Sequence, residues 1–215
     1  MDVVFGNLDL YWRGLRYTIG LTLGGFALAF VAGTIVAAFR VSPIPPLRWA
    51  GALWVEVVRN TPLAVQMVLF YFGFTKIGIR YSAFASGVLV LGVYTSAFVA
   101  ETIRSGINTV SGGQAEAARA IGLTFPQALR IVILPQAFRS VVPPIGNIFI
   151  ALIKNSSIAG AFVSVQDEFR VAQVLVNETA QPIPVFLGAA AGYLLLTIPS
   201  GRLFAHLERR AAFGR

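Results

Sequence analysis

Cysteine is absent from this chain of 215 residues, and histidine occurs once, as His206. No disulfide framework, Cys-ligated metal or thiol nucleophile is therefore available. A single histidine also excludes His-cluster metal sites and Ser-His-Asp chemistry away from the tail. Charge is scarce as well. Asp, Glu, Lys and Arg make up 12% of the residues, and hydrophobic ones 56%. A soluble domain carries about 25% charged residues because it must wet its surface. Half that supply leaves much of the surface facing lipid. The phosphate-cradling pattern G-x-x-x-x-G-K-[ST] is missing too, so any ATP chemistry belongs to another chain. The net charge of +8 does not indicate nucleic acid, because the basic residues are scattered between apolar blocks and form no contiguous patch.

What is present is a series of long apolar runs. Tyr17 to Phe39 carries no charge over 23 residues, enough for a tilted transmembrane helix. A cleaved leader has an apolar region of about 7–15 residues behind a basic start, whereas here Asp2 and Asp9 precede the run. Further spans are predicted over 49–75, 81–103, 141–165 and 185–203. Between the third and fourth lies a polar loop, 104–139. Gly20 and Gly24 form a small-xxx-small pair in the first span, a spacing that allows close helix approach within or between chains.

The arginines predict an orientation. With five spans and the N-terminus outside, the inner segments hold Arg40, Arg48, Arg104, Arg119, Arg130, Arg139, Arg202, Arg209, Arg210 and Arg215. The outer segments hold Arg13, Arg16, Lys76, Arg80 and Arg170. The positive-inside rule then places the 104–139 loop and the C-terminus in the cytoplasm of a multi-pass protein of the cell membrane.

Two helix starts are written in that loop. Ser111 with Gln114, and Thr124 with Gln127, both fit the S/T-x-x-E/Q capping box. Between them Gly122 can take the left-handed conformation that ends a helix, followed by the apolar Leu123. Pro126 falls in the first turn of the second helix, where its missing N–H costs little. The expectation is two short, exposed helices at a sharp angle. A DNA-binding helix-turn-helix shares this outline, but here both helices are tethered between spans and the second has no row of base-reading side chains.

Glu116-Ala117-Ala118, three residues, Gly122, nine residues, then Val132-Ile133-Leu134-Pro135 resembles the EAA loop of ABC importer permeases, with Val132 where Ile is usual. Arg59-Asn60-Thr61-Pro62 resembles the R-G-T-P motif of the polar amino acid (histidine, glutamine and glutamate type) permeases, with Asn in the Gly position. Residues 101–114 and 135–157 resemble the segments flanking that loop, and the likeness covers roughly 10–210. The resemblance implies an all-α membrane protein of the type I ABC importer permease kind, about five transmembrane helices in a single domain over 1–215 with a two-helix cytoplasmic coupling loop. It implies partners as well: ABC ATPase subunits, a second permease subunit in a homo- or heterodimer, an extracellular substrate-binding protein and an amino acid substrate, glutamate-type preferred. The chain itself would hold no cofactor, since ATP and Mg would bind to the ATPase. The docking residues carried over are Glu116, Ala117, Ala118, Gly122, Leu134 and Pro135.

Ionisable residues inside a bilayer are costly and are by default functional candidates. Glu56 and Arg59, three apart, are placed to pair on one helix face or to meet substrate. Lys154, with Asn155 and Ser156, interrupts the fourth span, where it could attract a substrate carboxylate or neutralise Glu101. Gln66 and Asn147 suit a polar pore lining or interhelical hydrogen bonds. Two other classes remain open, a secondary transporter and a membrane scaffold, both without an ATPase partner. The first calls for an internal hydropathy repeat, and none is evident. The second makes the EAA loop accidental.

Overall fold

A computed structural model of the chain describes residues 2–212, all of its regular elements being helical. The elements are α1 (Asp2–Phe5), α2 (Leu8–Val41), α3 (Pro45–Asn60), α4 (Leu63–Lys76), α5 (Ala83–Asn108), α6 (Gly112–Ala120), α7 (Phe125–Ala128), a π-helical turn (Leu129–Ile133), α8 (Leu134–Val163), α9 (Glu168–Thr179) and α10 (Pro182–Ala212). Four helical stretches are long and apolar enough to cross a bilayer alone: Leu8–Val41, Ala83–Asn108, Pro126–Val163 and Pro182–Arg210.

The first of these lies along α5. A Cβ added at Gly20 would meet the Phe84 ring at 3.1 Å, one at Gly24 would meet Val88 at 3.2 Å, and one at Gly33 would come within 2.7 Å of Ser96 O and Val99. Numbers rise together on both helices, so α2 and α5 run parallel. The small-xxx-small pair thus serves packing within the chain. Because the two helices point the same way, everything between them must carry the chain back across the membrane once.

That return is the 49–75 span, and here the structure corrects the sequence reading. In place of one helix there are two, parted at Thr61 and Pro62, whose ψ angles of 127° and 135° are extended. Pro62 has no N–H to donate and forces its predecessor out of the helical region. A break at membrane depth leaves carbonyls that no water can satisfy. Side chains satisfy them instead: Gln66 Nε2 donates to Val58 O (2.9 Å) and Thr61 O (3.0 Å), Thr61 Oγ1 to Val57 O (2.8 Å), and Asn60 Nδ2 to Glu56 O (2.8 Å).

Beyond α5 the chain alternates. Gly106 lies against Ala137 and Ser140 while Gly87 lies against Ala159, so α8 is antiparallel to α5; Gly146 against Phe204 and Ile150 against Gly201 make α10 antiparallel to α8. The described chain thus runs along the bundle five times, the second pass being made by α3 and α4 together. The 42–44 turn, the α6–α7 loop and the end of α10 share one side, and the start of α2, the 77–82 turn and α9 share the other. The main core joins Leu21 of α2, Met67 of α4, Leu91 of α5 and Leu152 of α8. A second cluster ties α9 (Val171, Ala172, Leu175) to Tyr11 of α2 and to Val185 and Ala189 of α10.

One polar feature of this core had no counterpart in the sequence reading. Asp167 and Glu168, which begin α9 between the last two spans, are 0% and 1% exposed. Asp167 caps α9 by accepting from Arg170 N (3.0 Å), and Tyr193 OH donates to its other oxygen (3.2 Å). Glu168 N donates to Thr18 Oγ1 (3.2 Å), whereas Glu168 Oε2 has no hydrogen-bond partner among the described residues. Gly160 and Gly192 make the room: a Cβ at either would occupy the space of these carboxyls. Burial pushes Asp167 up to about 6, against the pull of the Arg170 N–H and the Tyr193 hydroxyl. Burial, then the neighbouring Asp167 charge, pushes Glu168 up to about 8.

Two outcomes are expected. Both carboxyls are harder to ionise folded than unfolded, so stability is fullest while they remain protonated in both states. It then falls as pH rises from about 4 until the folded value near 8 is passed. Thermal unfolding in detergent between about pH 5 and pH 8 should show this slope, and Glu168→Gln should remove most of it. A Glu168→Gln variant that keeps the full slope would mean that the buried carboxyl is not its source. Separately, Gln66→Leu should destabilise by about 1–3 kcal/mol, read as a lower midpoint in the same assay, because two carbonyls lose their donor.

Candidate coupling loop and translocation face

The 104–139 loop is more helical at its edges than expected, since α5 runs to Asn108 and α8 starts at Leu134. Its base is clamped across both ends. Thr109 Oγ1 and Ser140 Oγ lie 3.1 Å apart, so that one hydroxyl can donate to the other while the other donates within its own helix, to Gly106 O (2.7 Å from Thr109) or Ala137 O (2.8 Å from Ser140). No motif pointed to Thr109 or Ser140; only the tertiary approach of α5 and α8 pairs them.

From this base α6 projects as a separate nine-residue helix. Its end follows the sequence reading. Gly122 has φ +85°, its N–H donates to Arg119 O (3.0 Å), and Leu123 N donates to Ala118 O (3.1 Å). These two bonds satisfy carbonyls that a helix end would leave open, and the left-handed φ favours glycine. Its start does not follow. Ser111 stands at the N-cap position without a side-chain capping bond. At the second start, Gln127 Oε1 accepts from both the amide and the hydroxyl of Thr124 (2.9 Å each), so Gln127 rather than Thr124 does the capping. Nor is the second helix free-standing. It passes through the π-helical turn into α8, with Leu134 N donating to Leu129 O. Pro135 lacks the N–H that Ile131 O would receive in an α-helix, which favours this local rewinding.

The six docking candidates separate accordingly. Glu116, Ala117 and Gly122 are exposed, as are Leu134 and Pro135 at the start of α8. Glu116 falls in the second turn of α6, where the helix dipole offers little, so its position there is not explained by helix stability. Ala118, in contrast, is 3% exposed and packs inward, which removes it from a contact surface. Ile121 takes its place as a residue that sequence reasoning missed: a large apolar side chain, 78% exposed, beside Gly122. An apolar residue at the C-cap of an otherwise polar loop helix was the available signal.

The intramembrane candidates also separate. Glu56 and Arg59 form no ion pair among the described residues; the Arg59 guanidinium instead lies 5.1 Å from the centre of the Phe98 ring, a cation–π contact. Glu101 accepts two hydrogen bonds from Arg104 (2.5 and 3.1 Å), with Arg40 of α2 at 3.5 Å. Lys154 therefore does not neutralise it. Leu152 packs beside Leu91, which puts Lys154 about ten residues, roughly 15 Å, up the helix from Glu101. Gln66 is engaged at the α3–α4 break, and Ser156 is buried with its hydroxyl donated to Ile153 O (2.8 Å). Asn155 is half-buried. Glu56, Arg59, Asn147 and Lys154 remain exposed, on α3 and α8. Exposed charges at membrane depth are tolerable only beside water, a partner chain or a polar ligand.

This arrangement has close counterparts. A family model described as a binding-protein-dependent transport system inner membrane component matches residues 14–213. The chain is 41% identical over 210 residues, 98% of it and 97% of the relative, to a probable glutamine ABC transporter permease protein, GlnM, of Bacillus subtilis (strain 168). It is 36% identical over 217 residues, 95% of it and 93% of the relative, to the glutamate transport system permease protein GluC of Corynebacterium glutamicum. Among solved structures, an amino acid ABC transporter with histidines superposes with a TM-score of 0.90 at 35% identity, covering 96% of both chains.

Replacing Gly122 with Ala should cost about 1 kcal/mol, because an L side chain resists a positive φ while the space around the added Cβ is open. Hydrogen exchange should show the Gly122 and Leu123 amides exchanging roughly fivefold faster, with α2 and α5 unchanged. Unaltered exchange at both amides would contradict the left-handed cap.

Proposed function

Since the chain belongs to the family of binding-protein-dependent transport system inner membrane components, we propose that it is the permease subunit of an ATP-driven importer for a polar amino acid of the glutamate or glutamine type. The observation that carries this is α6: a short helix clamped at its base by Thr109 and Ser140, ended at Gly122, and presenting Glu116, Ala117 and Ile121 outward. All three side chains are exposed, and none has a hydrogen bond or ion pair among the described residues. A rigid lever with an unused tip is what an ATPase subunit needs in order to move membrane helices.

The partners are those that membership of the family implies. ATP and Mg bind to the ATPase, an extracellular binding protein delivers the amino acid, and a second permease chain completes the pathway. The side bearing α6 is the cytoplasmic one, in keeping with the ten arginines of the inner segments against five basic residues outside. Glu56, Arg59, Asn147 and Lys154 face the pathway or the second permease. Two of the similar permeases are named for glutamine and glutamate, which supports that substrate class and leaves the choice within it to the binding protein.

Affinity capture of the tagged chain from its native membranes tests the reading. Wild type should bring down an ABC-type ATPase, and Glu116→Arg and Ile121→Asp should each reduce its yield at least severalfold without lowering the amount of permease. Uptake of labelled glutamate and glutamine by proteoliposomes of the captured complex then reads the substrate. Wild type that captures no ATPase from intact complexes overturns the importer assignment, and uptake without ATP would place the chain among secondary transporters.

A further inference from the structure

At the start of α2, on the side of the membrane opposite α6, a cavity of about 500 Å³ is lined by Arg13, Arg16, Tyr17, Gly20 and Phe84. The four α2 positions are spaced i, i+3, i+4 and i+7, so they share one helix face. Phe84, from the first turn of α5, closes the groove by meeting Tyr17 edge-on at 5.9 Å. Gly20 forms its floor, where a Cβ would crowd the Phe84 ring at 3.1 Å. The volume falls within the range of about 300–1,000 Å³ typical of small-molecule sites.

We propose that this groove binds the headgroup of an anionic phospholipid, with Arg13 and Arg16 on the phosphate and Tyr17, Gly20 and Phe84 against the lipid's apolar part. Three observations carry it. Neither guanidinium has an ion pair among the described residues: Asp9, one turn before Arg13, makes none, the carboxyl of Glu168 is buried against Gly14 on another face of α2, and that of Asp167 is buried against Gly160 of α8. Two unpaired arginines on one face hold a planar array of donors that suits a phosphate. Second, the depth is right. The charge-free stretch begins at Tyr17, which places Arg16 at the hydrocarbon boundary and Arg13 one turn into the headgroup layer. The exposed Trp12, Tyr17 and Tyr81 mark the same level as an interfacial aromatic belt. Third, the groove is amphipathic, cationic at its mouth and aromatic below. A water-soluble carboxylate would use the mouth alone; a lipid uses both. Occupied, the site bridges α2 and α5 at the end where Tyr17 and Gly20 meet Phe84. The inference rests on the membrane-spanning fold and is independent of the importer assignment.

The test uses the full chain with the subunits it retains, delipidated in detergent. Its thermal midpoint is followed on adding phosphatidylglycerol, phosphatidylcholine, or phosphatidylcholine with inorganic phosphate. Phosphatidylglycerol should raise the midpoint beyond phosphatidylcholine, and inorganic phosphate should add nothing. Arg13→Gln/Arg16→Gln should lose more than half of that difference, while Lys76→Gln/Arg80→Gln, which removes two cations from the same membrane side outside the groove, should keep it. Arg13→Lys/Arg16→Lys, which retains charge but not the planar donors, should fall between and shows that substitution here is compatible with folding. Equal responses in the groove variant and wild type overturn the proposal, as does equal loss in the Lys76/Arg80 control, which would indicate unspecific charge. Inorganic phosphate matching the lipid would assign the site to a soluble anion. A groove variant that keeps its lipid response but no longer captures a soluble binding protein would assign the surface to that protein instead.

Discussion

The seam between α2 and α5 governs the rest of the structure. Glycines at 20, 24 and 33 bring two membrane helices so close that a methyl group at Gly33 would collide with Ser96 and Val99. In lipid, apolar area provides no drive to associate, so helices must hold together through van der Waals contact at close range. The seam also fixes direction. Since α2 and α5 are parallel, α3 and α4 have to return the chain in a single crossing, α8 must come back antiparallel, and α6 and α7 are left on the side where α5 ends. The position of the coupling helix therefore follows from the packing of the first and third spans.

Where the bundle departs from apolar packing, each departure has a local account. The break at Thr61 and Pro62 exposes carbonyls in a medium without water, and Gln66, Thr61 and Asn60 satisfy them from within the chain. The acid pair Asp167–Glu168 is tolerated because Gly160 and Gly192 leave room for it and because protonation is easier than burying two charges. Glu101 is held between Arg104 and Arg40, which links the foot of α2 to the helix that leads into the coupling loop. By contrast, the side chains of Glu56, Arg59, Asn147 and Lys154 have no ion pair or hydrogen bond among the described residues. Polar groups left exposed at membrane depth by an otherwise well-satisfied fold are tolerable only beside water, a partner chain or a polar ligand.

A transport subunit of this family needs rigidity and a break in it. The long helices α2, α5, α8 and α10 carry displacement end to end. The α3–α4 junction and the π-helical turn ahead of α8 are the places where the backbone ladder is interrupted, both beside a proline. Bending there costs less than bending an intact helix, because the hydrogen bonds concerned are already replaced by side chains or shifted in register. Thr109 at the end of α5 and Ser140 of α8 lie 3.1 Å apart, so the two ends of the loop are tied to each other.

By itself the sequence determined the solvent, the helical class, the apolar runs, the polar loop between the third and fourth of them and its Gly122 helix end. These are properties of local composition and of single residues: a charge-free run of 23 residues needs lipid, and a glycine just past the end of an Ala-rich helix takes a positive φ wherever that helix sits. Spacing also carried the likeness of residues 116–135 to a permease loop. What only the tertiary structure decided was which side chains meet. Gln66 serves a backbone break rather than a pore, Lys154 is well removed from Glu101 along the bundle, Ala118 turns inward, and Asp167 and Glu168 are buried rather than wet. Those outcomes depend on how α2, α5, α8 and α10 pack, through contacts between residues as far apart as Thr18 and Glu168. Periodicity along a chain sets which faces are apolar, but the packing of helices across the bundle sets which polar group each face encloses.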